Sequence, residues 1–129
     1  MIIQIENDDG SIMSVIMNAL CLALMDAGVP MKGMFGAVSC IREEGGALQW
    51  DPTLEMEERA ECRFVFVYSA DKEMIYSDCG GEFDVDGYML VLQKGRQVAV
   101  DLWAFFREAF EKVLVKDVKY QLLLKKVKT

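Results

Sequence analysis

The chain has 129 residues, 53% of them apolar and only two of them proline, which suits one domain with a real core and excludes a mainly disordered protein. Its net charge of −7 is unevenly placed: residues 1–111 carry a net −12 and residues 112–129 a net +5, so the body repels nucleic acid and any RNA contact must be local or supplied by partners. There is no histidine, which removes the usual general base and the usual transition-metal ligand.

Residues 2–6 (IIQIE) read as a strand. A Gly turn follows at Gly10, and from Ser11 the pattern becomes helical, with Ser11 as N-cap and Ala27-Gly28 as the stop. The outline strand, Gly turn, helix is that of a phosphate cradle, because helix N-termini direct free N–H groups at anions. Yet Asp8 and Asp9 precede the turn and no cation lies in it. Nearly every position of this first helix is apolar (Ile12, Val15, Ile16, Ala19, Leu20), which predicts burial on several sides and a central place in the fold.

Residues 34–41 lead through "REEGG" into 47–50, a predicted hairpin with a Gly-Gly turn. A charged connector, 51–61, precedes the β-branched and aromatic strand 62–68 (CRFVFVY), which "SADKE" joins to 74–76 in a second hairpin. From Asp84, a plausible cap, the pattern is helical to about Val115, although Gly87 and Gly95 weaken it. The predicted class is α+β, in the order β-α-ββ-ββ-α, with a largely antiparallel sheet. The tail 116–129 has two readings, a frayed terminus or a helical extension presenting Lys125, Lys126 and Lys128 to RNA.

No basic region precedes an apolar run at the start, so no signal peptide is expected. The longest apolar run, 15–25, is broken by Asn18 and is about half a membrane span. The four cysteines form no Cys-x-x-Cys pair and lie in or beside apolar segments, as reduced, buried thiols of a cytosolic or nuclear protein would.

The run "ALMDAGVPM" (23–31), then "WDPTLEMEE" (50–58), the strand "CRFVFVY" and the helix after "GGEFD" resemble, in this order, the C-terminal half of the RNase PH family. The resemblance covers about residues 2–115, with 116–129 as a basic tail, and the N-terminal half of the family fold is expected to be absent. The string "DPT" followed by Glu is similar to one branch, a eukaryotic exosome ring subunit. The family includes phosphate-dependent 3′-to-5′ exoribonucleases, whose strand–helix turn reads Gly-Gly-Thr-Arg-Thr or close to it and holds the attacking phosphate. The matching positions here are Gly10, Ser11, Ile12, Met13 and Ser14. The resemblance therefore implies a degenerate phosphate site, with Gly10, Ser11 and Ser14 retained and Met13 in place of the arginine. Beside it stands the simpler reading that Gly10 makes a turn and Ser11 caps a helix.

Active relatives also place two acids six residues apart in the connector, where they bind a divalent ion and assist proton transfer. By position these are Asp51 and Glu57, candidates for a Mg²⁺ site, with Glu55 and Glu58 as substitutes. The alternative is a solvated charged face after a turn.

The resemblance implies a non-catalytic subunit of the RNA exosome core, supporting 3′-to-5′ RNA processing and degradation in the nucleus, nucleolus included, and the cytoplasm. No cofactor is then required, and the partners are other exosome ring subunits, with RNA reached through the assembled complex. Two alternatives stay open: a metal-dependent 3′-to-5′ exoribonuclease using Asp51 and Glu57, and an oligomerising domain without an RNA role. Because a half-length chain leaves apolar surface uncovered, the isolated chain is expected to be a homo-oligomer joined through the first helix or the sheet rather than the lysine tail.

Overall fold

A computed structural model describes residues 1–71 and 73–128. Its elements are α1 (Ile12–Asp26), β1 (Phe35–Arg42), β2 (Leu48–Trp50), α2 (Leu54–Arg59), β3 (Cys62–Ser69), β4 (Met74–Gly81) and α3 (Val85–Lys128). The four strands form one antiparallel sheet in the order β2-β1-β3-β4, which is the α+β arrangement that the sequence predicts.

Strand alternation gives the sheet two faces. On one, Val38, Cys40, Phe64, Phe66 and Tyr68 pack with Val91, Leu92, Ala99, Trp103 and Phe106 of α3. On the other lies α1, where Ser14 Oγ stands 2.7 Å from Ser39 Oγ of β1. The Asp84 carboxylate accepts from the Gly87 N–H at 2.7 Å, so the expected cap opens α3. Gly95 does not interrupt that helix. A Cβ there would stand 2.5 Å from Tyr68 Oη, which donates to the Leu92 carbonyl at 2.8 Å, so the glycine makes room for a buried tyrosine.

The structure corrects several expectations. Residues 2–6 form no strand: Ile2, Ile3 and Ile5 are exposed beside α1. The nearby edge of β1 is already occupied, since β2 pairs with Cys40, Ile41 and Arg42. The Asn18 amide takes the next position, donating from Nδ2 to the Ala37 carbonyl (3.0 Å) and accepting from the Ala37 N–H (2.7 Å). A β-prone segment finds no open ladder there.

The first helix is not central. Only Ser14 and Cys21 of α1 are buried, Leu20 is half-buried, and Met13 and Val15 are exposed: among the described residues, 1–7 line the groove over its outer face. The charged connector contains α2, capped by Thr53, whose Oγ1 accepts from the Met56 N–H at 3.3 Å. β4 continues past 76 to Gly81.

Of the two readings of the tail, the structure takes the helical one: α3 continues past Val115 to Lys128, as the Lys, Leu and Gln residues there and the lack of Gly or Pro allow. From 111 to 127 every residue is exposed.

All four cysteines are free, and Cys21, Cys40 and Cys62 are buried. Burial, with the neighbouring Cys62 adding to it, pushes the Cys40 thiol up to about 12, so it stays protonated and inert. Among the described residues no helix is long and apolar enough to cross a membrane.

Candidate functional site: the Gly10–Ser14 turn and the Asp51–Glu57 connector

The turn before α1 and the segment before α2 are pressed together. Gly10 has φ +87°, and a Cβ there would stand 2.4 Å from the Leu54 nitrogen and 2.9 Å from the Pro52 carbonyl oxygen. Only glycine fits both that φ and that contact. The Leu54 N–H donates to the Asp9 carbonyl at 2.8 Å, which fixes the two segments side by side. What fills the space inside the turn is backbone.

Each retained hydroxyl has a partner within the protein. Ser11 adopts φ 53° and makes no side-chain cap bond; its Oγ instead donates to the Pro52 carbonyl at 2.8 Å. Ser14 Oγ donates to the Ser11 carbonyl at 2.9 Å, which leaves the Ser39 hydroxyl to donate to Ser14. Both Ser11 and Ser14 are only 4% exposed.

The backbone amide that opens the helix is also taken. Ser11 N–H donates to Glu57 Oε1 at 2.8 Å, and Gly10 N–H donates to Asp8 Oδ1 at 3.0 Å. A carboxylate at a helix N-terminus satisfies an otherwise unpaired N–H and meets the positive end of the helix dipole. Glu57 thus holds, from within the chain, a position at which an anion would bind. Met13 is exposed and supplies no charge.

The two candidate metal ligands line different cavities. Glu57 lines a cavity of about 260 Å³ with Met13, Arg63 and Asp78. Asp51 lines another, of about 320 Å³, with Asp8 and Asp9. Asp51 is held with φ 53° by its N–H bond to the Ser39 carbonyl at 3.0 Å. Of the substitutes, Glu55 pairs with Arg59, and Glu58 is exposed. Among the described residues no three acids, cysteines or histidines are grouped to hold a metal ion.

Lys125 and Lys126 lie far along the exposed part of α3, whereas the Lys128 side chain is outside the described residues. Sequence reasoning missed the link between Glu57 and Ser11, and no local signal announces it, because the partners are 46 residues apart. It also missed Arg63 and Asp78, on neighbouring strands, where alternation alone shows only that they share a sheet face.

This architecture has known counterparts. The crystal structure of rice Rrp46 superposes with a TM-score of 0.75 at 24% identity, over 81% of this chain and 50% of that one. The Caenorhabditis elegans cell-death-related nuclease 5 gives 0.73 at 27% identity, over 83% of this chain and 60% of that one. In sequence, the Arabidopsis thaliana "Exosome complex exonuclease RRP46 homolog" is 33% identical over 129 residues, covering 85% of this chain and 54% of the relative. Over most of its length the chain is homologous to RRP46-type, RNase PH-like exosome subunits.

The RRP46 homolog of Oryza sativa subsp. japonica is 25% identical over 91% of the chain and 56% of its own length. A "Putative exosome complex component RRP41" of Caenorhabditis briggsae is 25% identical over 78% and 42%. The chain thus spans about half the length of these relatives. No protein-family model matches it.

Proposed function

We propose that the chain acts as a non-catalytic, RNase PH-like subunit of the RNA exosome core, supporting 3′-to-5′ RNA processing and degradation in the nucleus, nucleolus included, and the cytoplasm. Its work is structural: it packs against other ring subunits, and RNA is reached through the assembled complex. The role needs no cofactor. Homology to RRP46-type subunits supports the complex, and one observation carries the non-catalytic part. The Ser11 N–H that opens α1 is held by the Glu57 carboxylate at 2.8 Å, while Ser11 and Ser14 spend their hydroxyls on protein acceptors. A phosphate ion, near −2 at neutral pH, would have to displace a tethered carboxylate with no cation to help it.

The purified chain, given RNA, phosphate and Mg²⁺, should release no nucleoside diphosphates from the 3′ end. Robust RNA turnover that Asp51→Ala abolishes would replace this reading with the exoribonuclease one. Affinity isolation from native extract should return a set of exosome subunits. Recovery of the chain alone would favour an oligomerising domain without an RNA role.

A further inference from the structure

A cavity of about 750 Å³ lies on the α3 face of the sheet, across the sheet from α1. Small-molecule sites span about 300–1,000 Å³, so its size is that of a ligand pocket. Its origin is in the topology. α3 crosses the face over β1 and β3, and the edge strand β2 makes a shelf beside the helix. Register sets the floor: Trp50 lies opposite Cys40, Cys40 opposite Phe64, and Leu48 opposite Arg42 in the next row. Residues paired in this way project to one face. The wall is one stripe of α3, with Gly87, Leu90, Val91 and Lys94 at spacings of three, one and three.

Two cations line the cavity, and one of them is already committed. Arg42 Nε pairs with Glu61 at 3.3 Å, and Arg42 Nη2 donates to the Glu82 carbonyl at 3.0 Å. Glycine at 87 permits this reach, because a Cβ there would stand 3.3 Å from Arg42 Nη1. Lys94, by contrast, forms no ion pair among the described residues. Burial raises the Cys40 thiol and the Lys94 charge works against that rise, so the ammonium acts on the floor at Cys40, beside Trp50. The carboxylates that line the cavity, Glu44 on the hairpin tip and Glu61 before β3, belong to the sheet side. One negative charge at the helix wall is therefore matched by Lys94, and a second, nearer the hairpin, is repelled.

We propose that this cavity binds a flat aromatic monoanion, a carboxylate or sulfonate on a small ring system, with the ring against Trp50 and Leu90 and the charge on Lys94. The aromatic body follows from the lining. Trp50 offers a ring for offset stacking, and it and Leu48 are only half-buried while Leu90 is exposed. A ring seated there removes apolar surface from water on both partners. The single charge follows from Lys94. Nucleoside phosphates carry close to two charges at neutral pH, and RNA strands carry many, so both match one lysine and two carboxylates less well. The inference stands apart from the exosome assignment, since it needs only the sheet and α3.

The probe is 2-naphthoate, titrated into the full chain by calorimetry at low salt, with circular dichroism to confirm that each variant is folded. Wild type should show one site per chain, with a dissociation constant on the order of 1 mM or tighter, as suits a ligand of this size. Lys94 is exposed on α3, so Lys94→Ala keeps the fold, and it should weaken binding about tenfold through the loss of one charge-assisted contact. The uncharged 2-naphthamide should bind wild type about tenfold more weakly than 2-naphthoate and should not sense Lys94→Ala. Trp50→Ala should weaken 2-naphthoate roughly three- to tenfold, the size of a lost ring contact, whereas Lys119→Ala, far along the same helix, should change nothing. Absence of saturable binding, an affinity that Lys94→Ala or folded Trp50→Ala leaves unchanged, or a Lys94→Ala effect shared equally by 2-naphthamide overturns the proposal. So does adenosine monophosphate binding as tightly as 2-naphthoate or more so, which would make the cavity a nucleotide site.

Discussion

Replacing Glu57 by alanine removes the carboxylate from the Ser11 N–H, where it stands at 2.8 Å, and leaves a nearly buried donor at the start of α1 without its partner. A hydrogen bond to a charged group contributes about 1.5–3 kcal/mol, so Glu57→Ala should cost about 2 kcal/mol. Glu57→Gln keeps a neutral acceptor in the same place and should cost roughly half as much, since neutral hydrogen bonds are about half as strong. For a domain of this size 1 kcal/mol moves the thermal midpoint by roughly 3–5 °C, so the alanine variant should melt about 6–10 °C lower. The ordering wild type, Gln, Ala is the decisive result.

The same substitution probes the anion site. A ligand that binds only the folded state raises the midpoint in proportion to ln(1 + [L]/Kd). Phosphate at matched ionic strength should leave the wild-type midpoint unchanged. It should raise that of Glu57→Ala only when Met13→Arg is also present, because freeing the amide supplies a donor but no charge. A Glu57→Ala variant within about 0.5 kcal/mol of wild type would behave like an ordinary surface substitution and refute the reasoning. So would a phosphate-dependent rise in the wild type.

Asn18→Ala should cost about 2–4 kcal/mol in denaturant unfolding, because it leaves both backbone groups of buried Ala37 unpaired at the β1 edge, and an unsatisfied buried group costs about 1–3 kcal/mol. A cost below about 0.5 kcal/mol, the size of a neutral surface change, would show that the amide does not stand in for a strand. Stability should be flat to near pH 9 and fall above it. The Cys40 thiol, pushed up by burial to about 12, keeps its proton while the unfolded thiol, near 9, gives its own up, so the folded state binds more protons throughout that window. Unfolding midpoints measured from pH 7 to 11 check this, and the fall should be shallower in Cys40→Ala.

What the sequence made legible was what depends on neighbours in the chain. The alternation in 62–68 and the Gly-Gly turn before Ala47 gave β3 and the β1–β2 hairpin, and Asp84 gave the start of α3. What it hid depends on what lies across the fold. IIQIE has the composition of a strand, but Asn18 and β2 already hold the ladder it would join. The all-round apolar α1 reads as central because a pattern reports what a residue would bury, not whether a layer exists to bury it. Here the sheet covers one side and a groove the other.

The candidate site divides in the same way. Met13, which the family resemblance sets opposite an arginine, brings no charge to the turn before α1. The structure adds that the cradle's other parts are used for folding. Gly10 lets the backbone of Thr53 and Leu54 fill the turn, Ser11 binds Pro52, Ser14 joins Ser39, and Glu57 reaches back to Ser11. These contacts tie α1 to the sheet and to the connector, so the groups that a phosphate would need are those that hold the helix in place. Any change that frees them for a ligand also loosens the domain. A single cation at position 13 adds attraction but leaves the Ser11 N–H on the Glu57 carboxylate. Binding at the Ser11 N–H requires that the Glu57 carboxylate leave first, and the stability lost with it sets how much anion affinity must be gained there before occupancy is favourable.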